Sequence, residues 1–469
     1  MDILLIDPPY KALKGIRSEY GYSINVTSLA AYLREGGIDT AVITGDLLLD
    51  LPVQPPMTFD VKKYAEGQKE YEKILGDNNH SIWQKIVNYI RRYNPEAVGI
   101  SCLTPAKDLV DKIAALVKNI NQDIKIIVGG HHPTFCAKET LLNPDIDYVV
   151  RGEGEIPLLQ LVKGLKSGNV DLHSIKSITY RCNGDTVSNS DENMIQNLDF
   201  LPLPARDLVI DCDFKRFKSH YLGTTRGCPY ACSFCSDRRL WHKRVRRRSV
   251  ENVIEEIKYL LNTYDVDFID FVDGTFTYDT NYVRKFCSTL IEQKMNVKWR
   301  CTARYNNLDK EILDVMKKAN CAGLYLGLES GSERMLQAIN KKITVEDIIR
   351  TSELIFESGI PSITAVMMGL PQENKKDIED TLQLMKEIKT DIFDVNCYVP
   401  LPGTELFDNM REEERKNIDW RKVGFKSYGN YFNKNISQKD LMAYITEAHE
   451  IALNALKTFQ KRGGWKTKD

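Results

Sequence analysis

The sequence predicts an α/β protein built as two successive strand–helix series with a small helical region after them, and three observations carry that reading. Short apolar runs alternate with amphipathic stretches through residues 1–165, six further strand–helix units fall within 216–405, and residues 406–469 are helical, polar and aromatic. Alternation at this pitch argues for parallel sheets covered by helices.

In the first series the apolar runs predict strands at Asp2–Ile6, Asp39–Ile43, Ala97–Ser101, Ile124–Val128 and Tyr148–Val150. Helical spacing falls between them at Ser23–Arg34, which stops at Gly36-Gly37, and at Trp83–Tyr93 and Lys107–Asn119. The expected product is an open Rossmann-like sheet with helices on both faces. The stretch from about Asp46 to His80 breaks the rhythm, as an insertion with Pro52, Pro55 and Pro56 ahead of a charged helical segment. Residues 166–215 read as a connector with a small hairpin, Ser177–Arg181 and Thr186–Ser188 around Asn183-Gly184-Asp185, because Asn-Gly is a strong turn signal. Pro202 and Pro204 punctuate the approach to the next series.

In the second series, strands are predicted at Tyr221–Thr225, Phe268–Val272, Lys298–Thr302, Gly323–Gly327, Ser362–Met368 and Phe393–Tyr398. The helices between them are Val250–Tyr264, Asn281–Gln293, Lys310–Lys318, Ser332–Asn340 with Val345–Ser358, and Lys375–Ile388. Six units in one register predict a partial (β/α)6 barrel, whose chemistry belongs at the carboxyl ends of its strands.

Composition removes several functional classes. A formal net charge of -1 creates no field for nucleic acid or an anionic membrane. No apolar run approaches the ~20 residues of a membrane-spanning helix. The start, MDILLIDPPY, has no basic n-region or cleavage site, so a cytoplasmic protein is expected. Of eleven cysteines, eight (Cys102, Cys136, Cys182, Cys212, Cys287, Cys301, Cys321 and Cys397) are scattered and read as reduced, small apolar residues.

The other three are clustered. Gly227-Cys228-Pro-Tyr-Ala-Cys232-Ser-Phe-Cys235 has C-x3-C-x2-C spacing directly after the first strand of the second series. Three thiolates on one loop can hold three corners of a cubane cluster. A zinc site would close with a fourth ligand, and His242 is the one Cys or His suitably near. The basic run His242–Arg248 reads as a solvated or structural face.

This loop, including the aromatic Phe234, resembles the signature of radical S-adenosylmethionine (SAM) enzymes, and the resemblance spans about residues 216–405. It implies a 4Fe–4S cluster on Cys228, Cys232 and Cys235, with SAM chelating the open iron. Further segments recur in the family's order. Val272-Asp273-Gly274 resembles the segment facing the SAM amine, with Asp273 as its acid. Leu328-Glu329-Ser330-Gly331 resembles the ribose- and carboxylate-contacting segment. Met368-Gly369-Leu370-Pro371 resembles the one stacking on adenine, and Pro400-Leu401-Pro402-Gly403-Thr404 a common family ending. Arg300 and Arg304 flank the third strand's end as candidates for SAM's carboxylate, since Arg suits bidentate recognition.

An open α/β sheet binds its ligand outside the carboxyl ends of its strands. Those ends are Asp7-Pro8-Pro9-Tyr10, Ser101-Cys102-Leu103-Thr104, Gly129-Gly130-His131-His132-Pro133 and Arg151-Gly152-Glu153-Gly154. No G-x-G-x-x-G follows the first strand, which disfavours a dinucleotide. The pattern over about residues 1–165 is similar to the cobalamin-binding domain of one radical SAM subfamily. The first loop lacks Asp-x-His-x-x-Gly, which implies cobalamin with its own base displaced and no histidine from that loop. Whether His131 or His132 approaches cobalt stays open.

The resemblance implies an enzyme that methylates an unactivated carbon of a small-molecule substrate, with an electron donor such as flavodoxin or ferredoxin. Two alternatives are a cyclase, ring-contraction or oxidation enzyme with the same cofactors and no methyl transfer, and a non-catalytic redox or cofactor-sensing module.

Overall fold

The computed structural model describes residues 1–13, 22–48, 61–191, 194–424 and 431–464. Pro52, Pro55 and Pro56 lie outside the described residues. The chain forms two compact units, Met1–Arg216 with Asp419–Arg421, and Phe217–Ile418 with Lys422–Asp469.

The first unit is built on β1 (Ile3–Asp7), β2 (Thr40–Thr44), β3 (Ala97–Ser101), β4 (Lys125–Gly129), β5 (Tyr148–Val150), β6 (Ile178–Cys182) and β7 (Asp185–Ser188). Their order is β2-β1-β3-β4-β5-β6-β7, and the first five strands are parallel. Ile3 to Ile6 are buried throughout, as strands covered on both faces must be. The helix Ser81–Tyr93 places Ile82, Trp83, Ile86 and Ile90 in the core at helical spacing and ends at Asn94 in the left-handed region. The helix Val61–Gly76 fills the end of the predicted insertion.

The hairpin within the connector is present, but it does not stand apart. β6 pairs antiparallel with β5, Tyr148 opposite Tyr180, so the hairpin extends the first sheet at its edge. All three residues of β5 pair with β6, so the hairpin satisfies the backbone groups that the edge of this short strand would otherwise leave open.

The second unit contains β8 (Ser219–Leu222), β9 (Thr225–Arg226), β10 (Arg246–Arg247), β11 (Phe268–Phe271), β12 (Lys298–Ala303), β13 (Cys321–Glu329), β14 (Ser362–Met368) and β15 (Ile392–Cys397). Six of these form the parallel sheet β15-β14-β13-β12-β11-β8, and β9 pairs with β10 as a separate antiparallel ribbon. The predicted strand Tyr221–Thr225 therefore breaks at Gly223. The break has a cause: the amides of Thr224 and Thr225 donate to Asp273 Oδ1 at 2.8 and 2.5 Å and so leave the ladder.

Behind β11 and β12, Phe271, Phe276, Phe286 and Trp299 pack with ring centroids 4.8 to 5.9 Å apart. Trp299 is buried with its indole N–H satisfied by the carbonyl of Ala319 at 2.7 Å, which is what lets so large a side chain sit there. The C-terminal helix Gln438–Lys461 packs on β15 and on the helix Lys375–Glu387. No helix among the described residues is long and apolar enough to cross a membrane.

Candidate active site

The cysteine loop is anchored before any ligand arrives. Gly227 sits at φ +104°, where a Cβ would lie 2.1 Å from the carbonyl oxygen of Arg244, so only glycine lets the chain turn out of β9 into the loop. The loop backbone is then held from three sides. Ser233 N–H donates to Ile339 O at 3.0 Å, Leu406 N–H donates to Ser233 O at 3.1 Å, and Asn340 Nδ2 donates to Ala231 O at 2.7 Å. Cys228 and Cys232 are half-buried, Cys235 is exposed, and all three are free thiols. Burial pushes the Cys228 thiol up, opposed by hydrogen bonds from Thr275 and from the Tyr230 amide.

The sulfur spacing bears on what the loop can hold. Among the described residues, His132, Cys136 and Glu139 bring their ligand atoms within 4.8 Å of one another, and the three loop cysteines do not. Thiolates on one zinc ion, with Zn–S near 2.3 Å, would lie about 4 Å apart. Three soft thiol donors on one loop suit three corners of an iron–sulfur cluster by their chemistry. Gly274 completes the cradle: a Cβ there would stand 2.7 Å from Asp237 Oδ2 and 3.3 Å from Cys228 Cβ.

Asp273, after β11, is 3% exposed. Its Oδ1 accepts the two amides that break the first strand and also the Thr225 hydroxyl at 2.6 Å. Its Oδ2 is buried with no hydrogen-bond partner, an uncommon condition for a carboxylate and the state expected of a group awaiting a donor. Burial raises this carboxyl, and its hydrogen bonds from Thr225 and Thr224 pull it back.

At the end of β13, Glu329 adopts φ +67° and the register with β14 slips beside it. A non-glycine residue in that region is strained, and such strain concentrates at functional sites. Its Oε1 accepts from Lys341 Nζ at 2.8 Å, both side chains being buried. Ser330 is fully buried, 3.2 Å from the Thr381 hydroxyl and accepting from the Ser332 amide, so its hydroxyl is spent inside the turn. Arg300 makes a two-pronged ion pair with Asp270 at 2.8 and 2.5 Å. Arg304 turns toward the cysteine loop, with Nη1 3.7 Å from Cys232 Sγ.

After β14, Gly369 at φ +85° donates its amide to Glu373 Oε2 at 2.7 Å. Glu373 is completely buried, and that burial pushes its carboxyl up to about 8. Asn433, from the C-terminal region, donates to the carbonyls of Leu370 and Glu373 at 2.7 and 2.8 Å. Pro371 is half-exposed at the tip of this loop. Phe234 of the cysteine loop packs with Met335, Ile339, Leu370, Tyr398 and Leu406 into one apolar wall. Sequence reasoning missed Tyr230, Lys341, Glu373 and Asn433, none of which carries a spacing signal.

In the first unit the strands are buried while their carboxyl ends open. Asp7, Ser101, Gly129, Gly130, His131, Arg151, Gly152 and Glu153 are half-exposed. Pro9 packs so tightly on Gly45 that a Cβ there would lie 2.5 Å from the Pro9 nitrogen, while Pro8 is buried. Gly130 at φ +114° lets the loop after β4 lie against Cys102, whose amide donates to Gly129 O at 2.7 Å. His132 is 1% exposed, with Nδ1 3.3 Å from the Thr104 hydroxyl and its ring edge-on to Trp420; burial lowers it to about 4. His131 stands outside that core. Arg151 pairs with Asp191 at 2.9 Å and Glu153 Oε2 accepts the Ile195 amide at 2.9 Å, so these two side chains tie the hairpin segment to the sheet.

Two family models match, the Radical SAM superfamily over residues 222–385 and the B12 binding domain over residues 11–162. A Pyrococcus horikoshii protein, described as an uncharacterized methyltransferase, is 30% identical over 427 residues, which is 90% of this chain and 86% of that one. The anaerobic magnesium-protoporphyrin IX monomethyl ester cyclase of Rubrivivax gelatinosus is 28% identical over 355 residues, 72% of this chain and 62% of the cyclase. The radical SAM methyltransferase TsrM of Kitasatospora setae, solved with cobalamin and a 4Fe–4S cluster, matches with a TM-score of 0.65 at 15% identity, over 88% of this chain and 78% of that one. At that identity the likeness is one of fold.

Proposed function

The chain belongs to the radical SAM superfamily, in the branch that carries a B12-binding domain, and from that premise we propose that it methylates an unactivated carbon of a small-molecule substrate. The observation that carries the reading is the cysteine loop: three free thiols on one turn whose backbone is anchored from three sides. When bound, the 4Fe–4S cluster with SAM supplies a 5′-deoxyadenosyl radical that takes hydrogen from carbon, and cobalamin supplies a transferable methyl group.

The chain's own residues bind, orient and shield. Cys228, Cys232 and Cys235 would hold the cluster. The orphaned Oδ2 of Asp273 suits the amine of SAM, and the Glu329–Lys341 pair offers both charges to its polar groups. Phe234 and the loop of Gly369 and Pro371, whose Leu370 packs in the same apolar cluster, would give the adenine an apolar seat. Ser330 would act through the turn it stabilises. In the first unit the half-exposed ends at Asp7-Pro8-Pro9, Ser101, Gly129-Gly130-His131 and Gly152 would carry the corrin, and Thr104, His132, Arg151 and Glu153 would brace them from beneath. No histidine follows β1 before residue 80, so the loop after β1 would offer cobalt no imidazole. The electron would come from a flavodoxin- or ferredoxin-type donor in a cytoplasmic setting.

The cyclase relative favours one second reading, in which the cofactors are the same and no methyl is transferred. Anaerobic turnover with methyl-labelled SAM decides between them. Methylation gives equal 5′-deoxyadenosine and S-adenosylhomocysteine with label on a substrate carbon, whereas 5′-deoxyadenosine with little S-adenosylhomocysteine and no transferred label would reject it. SAM binding without any 5′-deoxyadenosine after reduction would instead indicate a sensing module.

A further inference from the structure

Arg304 is a buried cation whose charge no carboxylate answers. It is 4% exposed, and among the described residues no acid lies within ion-pair distance of its guanidinium. Each of its nitrogens is nevertheless committed: Nε faces Asn306 Oδ1 at 3.5 Å, Nη2 donates to the carbonyl of Lys341, and Nη1 points at Cys232 Sγ, 3.7 Å away. The face of Tyr230, itself part of the cysteine loop, lies 3.7 Å from the guanidinium carbon. The Tyr230 hydroxyl is fixed in turn by Asn307 Oδ1 at 2.8 Å. Lys341, the other cation beside the loop, has its charge taken by Glu329.

A buried, unpaired guanidinium is expensive unless an anion completes the site. A neutral thiol at Cys232 cannot do so, but a cluster thiolate can. We propose that Arg304 sets the reduction potential of the cluster held by Cys228, Cys232 and Cys235, through its charge and its N–H to the Cys232 sulfur, with Tyr230 clamping it in place. This rests on the cluster reading above. Reduction adds one negative charge to the cluster, and both a nearby cation and a hydrogen bond to sulfur favour that state. Arg304 is therefore a positioning residue for the electron, with a role distinct from pairing SAM's carboxylate.

The test is an EPR-monitored redox titration of the full-length, anaerobically reconstituted protein, with dithionite as reductant and with and without SAM. At the potential where the parent cluster is half reduced, Arg304→Met should hold at least tenfold less reduced than oxidised cluster, about 59 mV for one electron. Arg304→Lys should fall between the two, and Tyr230→Leu should shift in the same direction. Arg284→Gln, an exposed arginine paired with Glu311, should leave the potential unchanged. An unshifted potential in Arg304→Met with intact iron content would overturn the proposal, and weakened SAM binding beside it would place Arg304 on the SAM carboxylate instead. Should Arg304→Met fail to hold the cluster, Arg304→Lys and Tyr230→Leu decide by the same measurement. Failure of the parent protein to assemble any cluster would count against the functional reading itself.

Discussion

Glu373 offers a test of how the β14 loop is held. Its side chain is fully buried, and that burial raises it to about 8 from an ordinary 4.5; the Gly369 amide pulls it back, Asp377 pushes it further up, and the Leu370 amide and Arg334 lower it. The carboxyl is then protonated in the folded chain at neutral pH and ionised in the unfolded one. Such a group withholds nothing below pH 4.5, where both states are protonated. Stability falls as pH rises from there to about 8, by about 1.4 kcal/mol per pH unit and roughly 5 kcal/mol in all. Glu373→Gln keeps an acceptor for the Gly369 amide and removes the titration. It also buries an amide N–H2 where Oε1 already lacks a partner, a pH-independent cost of about 1–3 kcal/mol. The variant should therefore be the less stable protein at pH 5 and the more stable one by pH 8, the two curves crossing between. Urea denaturation of the full chain, followed by a probe of the second unit at several pH values, reads this as a difference between two proteins, so other titrating groups cancel. Parallel pH profiles would refute the assignment of a protonated, buried Glu373.

Two further outcomes follow from close approaches in the same unit. Gly227→Ala would drive a methyl group into the Arg244 carbonyl at 2.1 Å and force a left-handed alanine; reconstituted iron and sulfide should fall to the level of Cys228→Ala, and normal content would show that the turn can be made otherwise. Asn433→Ala removes a donor from the Leu370 and Glu373 carbonyls and the acceptor of the Asn435 and Ile436 amides; a loss of about 1–3 kcal/mol in stability is expected together with weaker SAM binding by equilibrium dialysis, and unchanged binding would detach the C-terminal region from the site.

The sheets were legible because burial on both faces leaves continuous apolar runs, and β3, β5 and β14 appear with the predicted ends. The cysteine loop stood out in the sequence because three soft donors at short spacing are rare by chance. Other features depend on distance in three dimensions. Arg304 meets a sulfur 72 positions away and Asn433 a carbonyl 63 positions away, and no periodicity connects such pairs. The break at Gly223 was hidden because its cause, Asp273, lies some fifty residues on in the loop after β11, and the left-handed Glu329 leaves no trace in residue type. The hairpin was visible from its Asn-Gly turn, whereas its attachment to β5 was not, since edge pairing is chosen by whichever backbone is left open.

The clip made by Asn433 also bears on how the protein comes into being. β15 is an edge strand of the barrel sheet, and the helix that packs on it ends at Lys461 of a 469-residue chain. Domains generally fold in order of synthesis, and the first unit has emerged by residue 216 apart from the three residues Asp419–Arg421. The barrel is in the opposite position: the loop after β14 waits for a side chain translated more than sixty residues later. During that interval the Glu373 carbonyl lacks that donor and the apolar wall lacks Phe432, so this loop is a late-completed part of the barrel unit.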